Sequence, residues 1–335
     1  MTYKLWGRPP RRPVWFGNAR AGRQAGPAIS ILLLLALCCS LPAATSPAGQ
    51  ILKVPAWTDA NQDPPLSAKD LGATVDGTAS RVVDVKGPAD NLMLIVVLDL
   101  AGDLSLAEPA KEALASEIEK LPPRMAVAVM RAQDGLKVLV DPGADRTPAA
   151  AAVRDLPVSG KAGLLDTVAT ATRLADSILA KSGVRVAVLY LTDSDVENYR
   201  EDFTNPVINS SDTHDLSRRF PEALIQAKIS KVAAVMAERQ APLFVVHLRY
   251  RSDRLGESYQ NGLKQLAEVT GGSAVFCRSS EEISGAIQRA LALIASSYSV
   301  AVALPERSPK IVQVQLDTGG KCSLTYRTRF VMKER

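Results

Sequence analysis

The sequence predicts an α/β fold: a doubly wound, mostly parallel sheet with helices on both faces, plus small β elements at both ends. Two matching strand patterns and a change of period predict it. Leu92 to Leu98 is an unbroken apolar run that ends on Asp99. Such a run reads as a strand buried on both faces, with an acid at its C-terminal end. A second copy of this layout runs from Val184 to Leu191 and closes on Thr192-Asp193. Between and after these two, strand-like runs alternate with amphipathic helical runs, the pattern of a parallel sheet covered by helices.

The elements follow in order. Ile51–Val54 is a short strand, and Asn61 to Pro65 is a polar turn. Ala73–Val75 and Arg81–Val85 flank Asp76-Gly77, a strong hairpin signal. Strand Leu92–Leu98 leads to a helix over Glu108–Lys120 that Pro122-Pro123 stops. Strand Met125–Met130 turns through Gln133-Asp134-Gly135 into a partner at Leu136–Val140. A helix over Leu164–Lys181 carries apolar residues at helical spacing, and Gly183 follows its end. Strand Arg185–Thr192 is followed by a polar, turn-rich loop over 194–215. Helix Leu216–Arg239, with Pro221 near its first turns, strand Pro242–Leu248, helix Tyr259–Thr270, strand Ser273–Phe276 and helix Glu281–Ser297 complete the series. After Ser297 the period becomes that of antiparallel strands, at Tyr298–Ala303, Ile311–Leu316 and Ser323–Val331. These pack with the N-terminal β elements as a second, all-β unit. The expected division is a signal peptide at 1–48, a β preface at 49–90, the α/β domain at 91–297 and a C-terminal β extension at 298–335.

Charge and leader narrow the setting. The formal net charge is +5, from 40 Lys and Arg against 35 Asp and Glu. Residues 1–48 hold six of the basic side chains (Lys4, Arg8, Arg11, Arg12, Arg20 and Arg23) and no acid, which leaves 34 basic against 35 acidic beyond them. A basic nucleic-acid surface is therefore not supported. The leader is Arg-rich, then apolar from Ala28 to Leu41, then rich in small residues through Ala48. That is the layout of a secretory signal cleaved between Ala43 and Ala48. Its unbroken apolar core is short for a membrane span, which needs about 20 residues. The expected location is secreted or periplasmic, with no stable membrane span after cleavage. The alternative is a membrane anchor through residues 28–48. Beyond the leader only Cys277 and Cys322 remain; one bridge and two buried thiols are both open readings.

The order of elements resembles the von Willebrand factor A domain. The resemblance rests on the strand ending in Asp99, on Gly160-Lys161-Ala162-Gly163-Leu164-Leu165-Asp166 opening a helix, and on Leu191-Thr192-Asp193. Pro65-Leu66-Ser67-Ala68-Lys69-Asp70-Leu71, Val75-Asp76-Gly77, Ser297-Tyr298-Ser299-Val300 and Tyr326-Arg327-Thr328-Arg329 look like a secreted subfamily known from acidobacteria. The resemblance covers roughly residues 50–331. It implies a secreted binding or adhesion module, not an enzyme, that meets a protein or cell-surface ligand at the C-terminal edge of its sheet.

The family's metal-ion-dependent adhesion site takes Asp-x-Ser-x-Ser from the first strand end, a Thr before a helix and an Asp after a later strand. Hard oxygen ligands suit Mg²⁺. Here Asp99 and Asp193 match the two acids, but Ala101, Asp103 and Ala162 stand where Ser, Ser and Thr belong. Three readings of the acids follow. In the leading one the metal site is degenerate, no cofactor is needed, and Asp99 and Asp193 take hydrogen bonds or pair with Lys161. In the second, Asp99, Asp103 and Asp193, with Asp195, hold Mg²⁺ or another divalent cation. In the third the acids are catalytic, which needs a shaped pocket and tuned acidity. His214 and His247 are the only histidines. They make neither a zinc site nor a triad, and His247 reads as a satisfied core histidine. Ser105 lacks the turn of a nucleophile elbow, and Gly160 to Gly163 lacks phosphate-loop spacing. Asn209-Ser210-Ser211 matches a glycosylation acceptor and is discounted because the resemblance implies a bacterial chain. The loop Asp195–His214, long and set at the sheet's C-terminal edge, is expected to contribute to partner binding.

Overall fold

In the computed structural model the described residues are 50–58, 65–199 and 221–332. They carry fourteen strands and six α-helices. Six strands form one sheet in the order β10-β9-β8-β5-β6-β7. These are β5 (Leu92–Asp99), β6 (Met125–Arg131), β7 (Lys137–Gly143), β8 (Arg185–Thr192), β9 (Leu243–His247) and β10 (Ser273–Phe276). All neighbours run parallel except the edge strand β7, which turns back antiparallel to β6. Two helical layers cover the sheet. Leu94, Val96 and Leu98 of β5 face α1 (Leu104–Lys120), α2 (Thr147–Arg154) and α6 (Glu281–Ser296). Ile95 and Val97 face α3 (Leu164–Lys181), α4 (Pro221–Met236) and α5 (Arg254–Thr270). This is the doubly wound α/β arrangement. β5 lies between β6, the next strand in the chain, and β8, reached by a crossover to the other side. The strand order therefore reverses between β5 and β8, the place where open α/β sheets form a crevice at their C-terminal edge.

The remaining strands are β1 (Ile51–Thr58), β2 (Gly72–Val75), β3 (Thr78–Ser80), β4 (Val82–Lys86), β11 (Tyr298–Ala303), β12 (Ile311–Asp317), β13 (Leu324–Tyr326) and β14 (Arg329–Val331). They make two four-stranded sheets, β13-β1-β11-β4 and β14-β12-β2-β3. Leu52, Val54, Val300 and Val302 from one sheet and Val75, Val312, Val314 and Phe330 from the other close a separate core between them. The alternation along β12, with Val312 and Val314 inward, is the period of a strand with one wet face.

Strand β1 joins the two cores. Leu52, Val54 and Ala56 point into the sandwich, while Trp57 enters the core under α6. The indole meets the Phe244 ring edge-on at 6.0 Å, and its Nε1–H donates to the Leu293 carbonyl at 2.9 Å. Arg185, buried at the start of β8, adds a polar rivet. Its guanidinium donates to the carbonyls of Ser297 at 2.8 Å, Asp90 at 3.0 Å, Ala295 at 3.1 Å and Pro88 at 3.3 Å. Arg327 likewise donates to the carbonyls of Arg239 and Ala237 beyond α4.

Several elements differ from expectation. The hairpin at Asp76-Gly77 forms, but its second arm is Thr78–Ser80, and Val82–Lys86 crosses to pair with β11. Helix α1 starts at Leu104 because the Asp103 side chain caps it, and α5 starts at Arg254 under the Asp253 cap. Helix α2 was not expected. Ser323–Val331 divides into β13 and β14, which pair in different sheets. The bridge reading of the cysteines is corrected: both are free thiols. Cys277 sits in the core with α6, where burial pushes its thiol up to about 11, and Cys322 lies against the sandwich core. Residues 61–64 of the polar turn, His214, the glycosylation motif and most of the 194–215 loop lie outside the described residues.

The joint predicts the cost of Trp57→Ala. Removing a buried indole together with its hydrogen bond should lower stability by about 3–5 kcal/mol. Urea unfolding followed by circular dichroism reads this directly; a loss under about 1 kcal/mol would show that Trp57 does not tie the two cores together.

Candidate functional site

The candidate site is the reversal crevice at the C-terminal ends of β5 and β8. Asp99 is the last residue of β5 and is fully buried. Its odd position along the strand points the carboxylate to the α3 side, where that helix begins. The Gly163 amide donates to Oδ1 at 2.8 Å, and the Leu164 amide donates to Oδ2 at 3.0 Å. The Thr192 hydroxyl adds a longer bond at 3.3 Å. A helix N-terminus has orphan N–H groups and a positive dipole end, so a carboxylate satisfies both. Burial nevertheless dominates the acidity. Enclosure in the core raises Asp99 to about 6, against the opposing pull of its hydrogen bonds.

Asp193 follows β8 and is closed in a different way. Oδ1 accepts from the Ala101 amide at 2.8 Å, and Oδ2 accepts from the amides of Gly102 and Asp103, both at 2.9 Å. Three successive N–H groups of the β5–α1 loop wrap the carboxylate as a backbone nest. The loop's closeness comes from its sequence. A Cβ on Gly102 would lie 3.4 Å from Asp193 Oδ2. Across the crevice, Gly163 packs so closely on Ala132 that a Cβ there would run into the Ala132 carbonyl oxygen.

The other sequence candidates fall into distinct roles. Asp103 turns away from the crevice and caps α1, accepting from the Ser105 hydroxyl at 2.6 Å and the Ser105 amide at 2.9 Å. Those bonds, the hydroxyl first, hold it below the usual carboxylate range. Lys161 does not pair with the acids. Its side chain is exposed, and its amide donates to Asp134 at 2.9 Å. Asp195 accepts from Arg251 at 2.8 Å and from the Glu197 amide at 2.8 Å, so it belongs to a rim ion-pair cluster. Ala101 and Ala162 offer no side-chain oxygen.

These residues do not fit an octahedral Mg²⁺ ion. The two crevice acids spend their oxygens on five backbone amides, Asp103 caps a helix, and the hydroxyl positions are alanines. Among the described residues no group of three or more His, Cys, Asp or Glu is placed to hold a metal.

Sequence reasoning missed the hydroxyl chain beneath the acids. Thr192 and Ser194 hydroxyls meet at 2.7 Å, Ser194 meets the Tyr259 hydroxyl at 3.2 Å, and Tyr199 accepts from the Leu165 amide at 3.1 Å. His247 belongs to the same layer. Its Nδ1 accepts from the Arg249 amide at 3.2 Å, so Nε2 carries the proton and donates to the Ser194 carbonyl at 2.7 Å. Burial lowers its pKa, which favours the neutral ring. The available signal was Tyr190 and Thr192 in an otherwise apolar strand.

The comparisons with known proteins come to structures alone. No protein-family model and no curated protein matches the chain. Among solved structures it is similar to a von Willebrand factor type A protein from Catenulispora acidiphila. The identity is 15 %, with 87 % of this chain and 75 % of that one covered, at a TM-score of 0.43. It is also similar to the vWF domain of the type V pili tip protein Mfa5 from Porphyromonas gingivalis, at 13 % identity, with 60 % and 93 % covered and a TM-score of 0.39. BatB from Bacteroides thetaiotaomicron, a conserved hypothetical protein, matches at 17 % identity, with 61 % and 99 % covered and a TM-score of 0.38. The fold stands on the chain's own strand order.

Asp99 gives this site a pH signature. Its folded pKa of about 6 lies above the unfolded value of about 3.9, so the folded chain holds the proton more tightly. Asp99 therefore contributes stability below about pH 4 that is lost as pH rises through 6, by about 3 kcal/mol in all. His247 titrates with the opposite sign, so the measurement is a difference. Urea stability of the wild type minus that of Asp99→Asn should fall by about this amount between pH 4 and 7. A flat difference would contradict an ionising carboxylate in the core.

Proposed function

We propose that the chain is a non-enzymatic binding module that presents the C-terminal edge of its sheet to a protein or cell-surface ligand without using a metal ion. The observation that carries this reading is the closure of Asp99 and Asp193 by backbone amides. An acid with raised pKa in a cleft is a common mark of catalysis. Asp99, however, is enclosed, as are the Thr192 and Ser194 hydroxyls near it, and so cannot touch a substrate. What remains outside is a fixed surface. Leu104, 61 % exposed at the start of α1, and Tyr250, 41 % exposed after β9, stand at the same edge as Lys161 and Arg249. The Arg249 charge reaches Asp103, and Arg278 lies over the Tyr250 ring at 5.6 Å. Tyrosine and arginine are residue types enriched in binding hot spots, and Leu104 adds exposed apolar area beside them.

The same reading places the mature chain outside the cytoplasm, secreted or periplasmic. The Arg-rich, apolar and small-residue leader supports this; it lies outside the described residues, among which no helix is long and apolar enough to cross a membrane. The alternative, a membrane-anchored subunit of an envelope assembly, rests on the same leader remaining uncleaved.

Cross-linking in the cells that make the protein tests both points. A Leu104→Glu/Arg249→Glu double variant should lose cross-linked partner about tenfold or more, while Ile311→Glu, on the sandwich, keeps it. Loss with Ile311→Glu alone would move the interface away from the sheet edge. The mass of the recovered chain reads the leader, with cleavage between Ala43 and Ala48 expected and an intact leader favouring the anchor.

A further inference from the structure

We propose that the cleft between β1 and the C-terminal half of α3 binds an organic anion with an apolar body, its charge held by Arg239. The cleft has a volume of about 960 Å³, at the upper end of ligand-site sizes, and it lies on the seam between two cores, a favoured place for such sites. It is separate from the sheet edge, roughly 20 Å farther along the α3 axis.

Arg239 is the telling residue. Its side chain is only 14 % exposed, yet among the described residues its guanidinium has no hydrogen-bond partner, its Nε is buried, and the ion-pair partner, Asp176, is 3.9 Å away. A guanidinium has five N–H donors, and buried donors are normally satisfied. Two other charges of the cleft, Asp176 and Lys53, are already committed. Asp176 accepts from the Gln240 and Ala241 amides at 2.9 and 2.8 Å. Lys53 turns its ammonium to the α3 carbonyls of Leu179 and Ser182. Arg173 and Glu238 also line the cleft and are the remaining charges. The unmet need is therefore for an acceptor that carries negative charge. Beside it stands an apolar wall that includes Ile51, 46 % exposed, with Leu179 and Met332. An anionic group on Arg239 and an apolar body along this wall would satisfy both features.

Anilinonaphthalene sulfonate, a sulfonate on an aromatic body, is the probe. Titrated into the full chain, it should show saturable fluorescence that octanoate displaces and octanol does not. Arg239→Gln should weaken it about tenfold, the scale of one lost charged hydrogen bond, while Val138→Glu, exposed on the edge strand β7, leaves it unchanged. If Arg239→Gln proves unfolded by circular dichroism, Ile51→Glu decides, with a comparable weakening expected in a folded chain. Unsaturable binding, affinity unchanged in a folded Arg239→Gln chain, or equal displacement by octanol would overturn the proposal. Displacement by inorganic phosphate as strong as by octanoate would also overturn it, since the apolar body would then not be read.

Discussion

Two carboxylates end adjacent parallel strands, and their charge has to be balanced where the sheet meets solvent. The chain balances it with its own backbone. Five amides from two loops converge on Asp99 and Asp193. Each amide fixes a position: the 101–103 segment must curl around Asp193, and α3 must begin at the Asp99 carboxylate. The glycine at 163 follows from the second demand, because only a residue without a side chain lets that segment approach Ala132. Hydrogen bonds to charged groups are worth about 1.5–3 kcal/mol each, and an uncompensated buried charge costs more. The geometry of the whole crevice therefore depends on this neutralisation.

The sandwich is coupled to this frame at the opposite side of the sheet. β1 belongs to one core by its alternating apolar residues and to the other by Trp57. Arg185 ties the start of β8 to the segment before β5 and to the end of α6. The two strands that carry the acids are thus anchored at their N-terminal ends while their C-terminal ends are closed by loops. In the proposed reading, a binding surface built on such strands would keep its shape without an ion to organise it.

The strands β5, β8 and β10 and the helix α3 were legible because a buried strand and an amphipathic helix write their period into the sequence. The starts of α1 and α5 were not, because an aspartate that caps a helix looks the same in sequence as one that faces a ligand. Asp103 is the instructive case: a metal ligand in one of the readings the sequence left open, it caps α1 in the fold. The run of α2 is eight residues, about two turns, too short to display a helical period. The splitting of Ser323–Val331 between two sheets depends on distant partners that no local pattern contains. At the site, the acids were legible and their partners were not. Backbone amides are the same at every residue, so no letter marks Ala101, Gly102, Asp103, Gly163 and Leu164 as donors. Lys161 was the visible cation and the wrong one; the neutralising charge is the partial charge of the main chain.

Calorimetric titration of the full chain with Mg²⁺ and Mn²⁺, beside an Asp193→Ala control, tests that neutralisation most directly. Carboxylates already satisfied by amides should give no saturable heat with either ion, in the wild type or in the control. Saturable binding by the wild type that the control loses would contradict the account, because the acids would then have oxygens free for a cation.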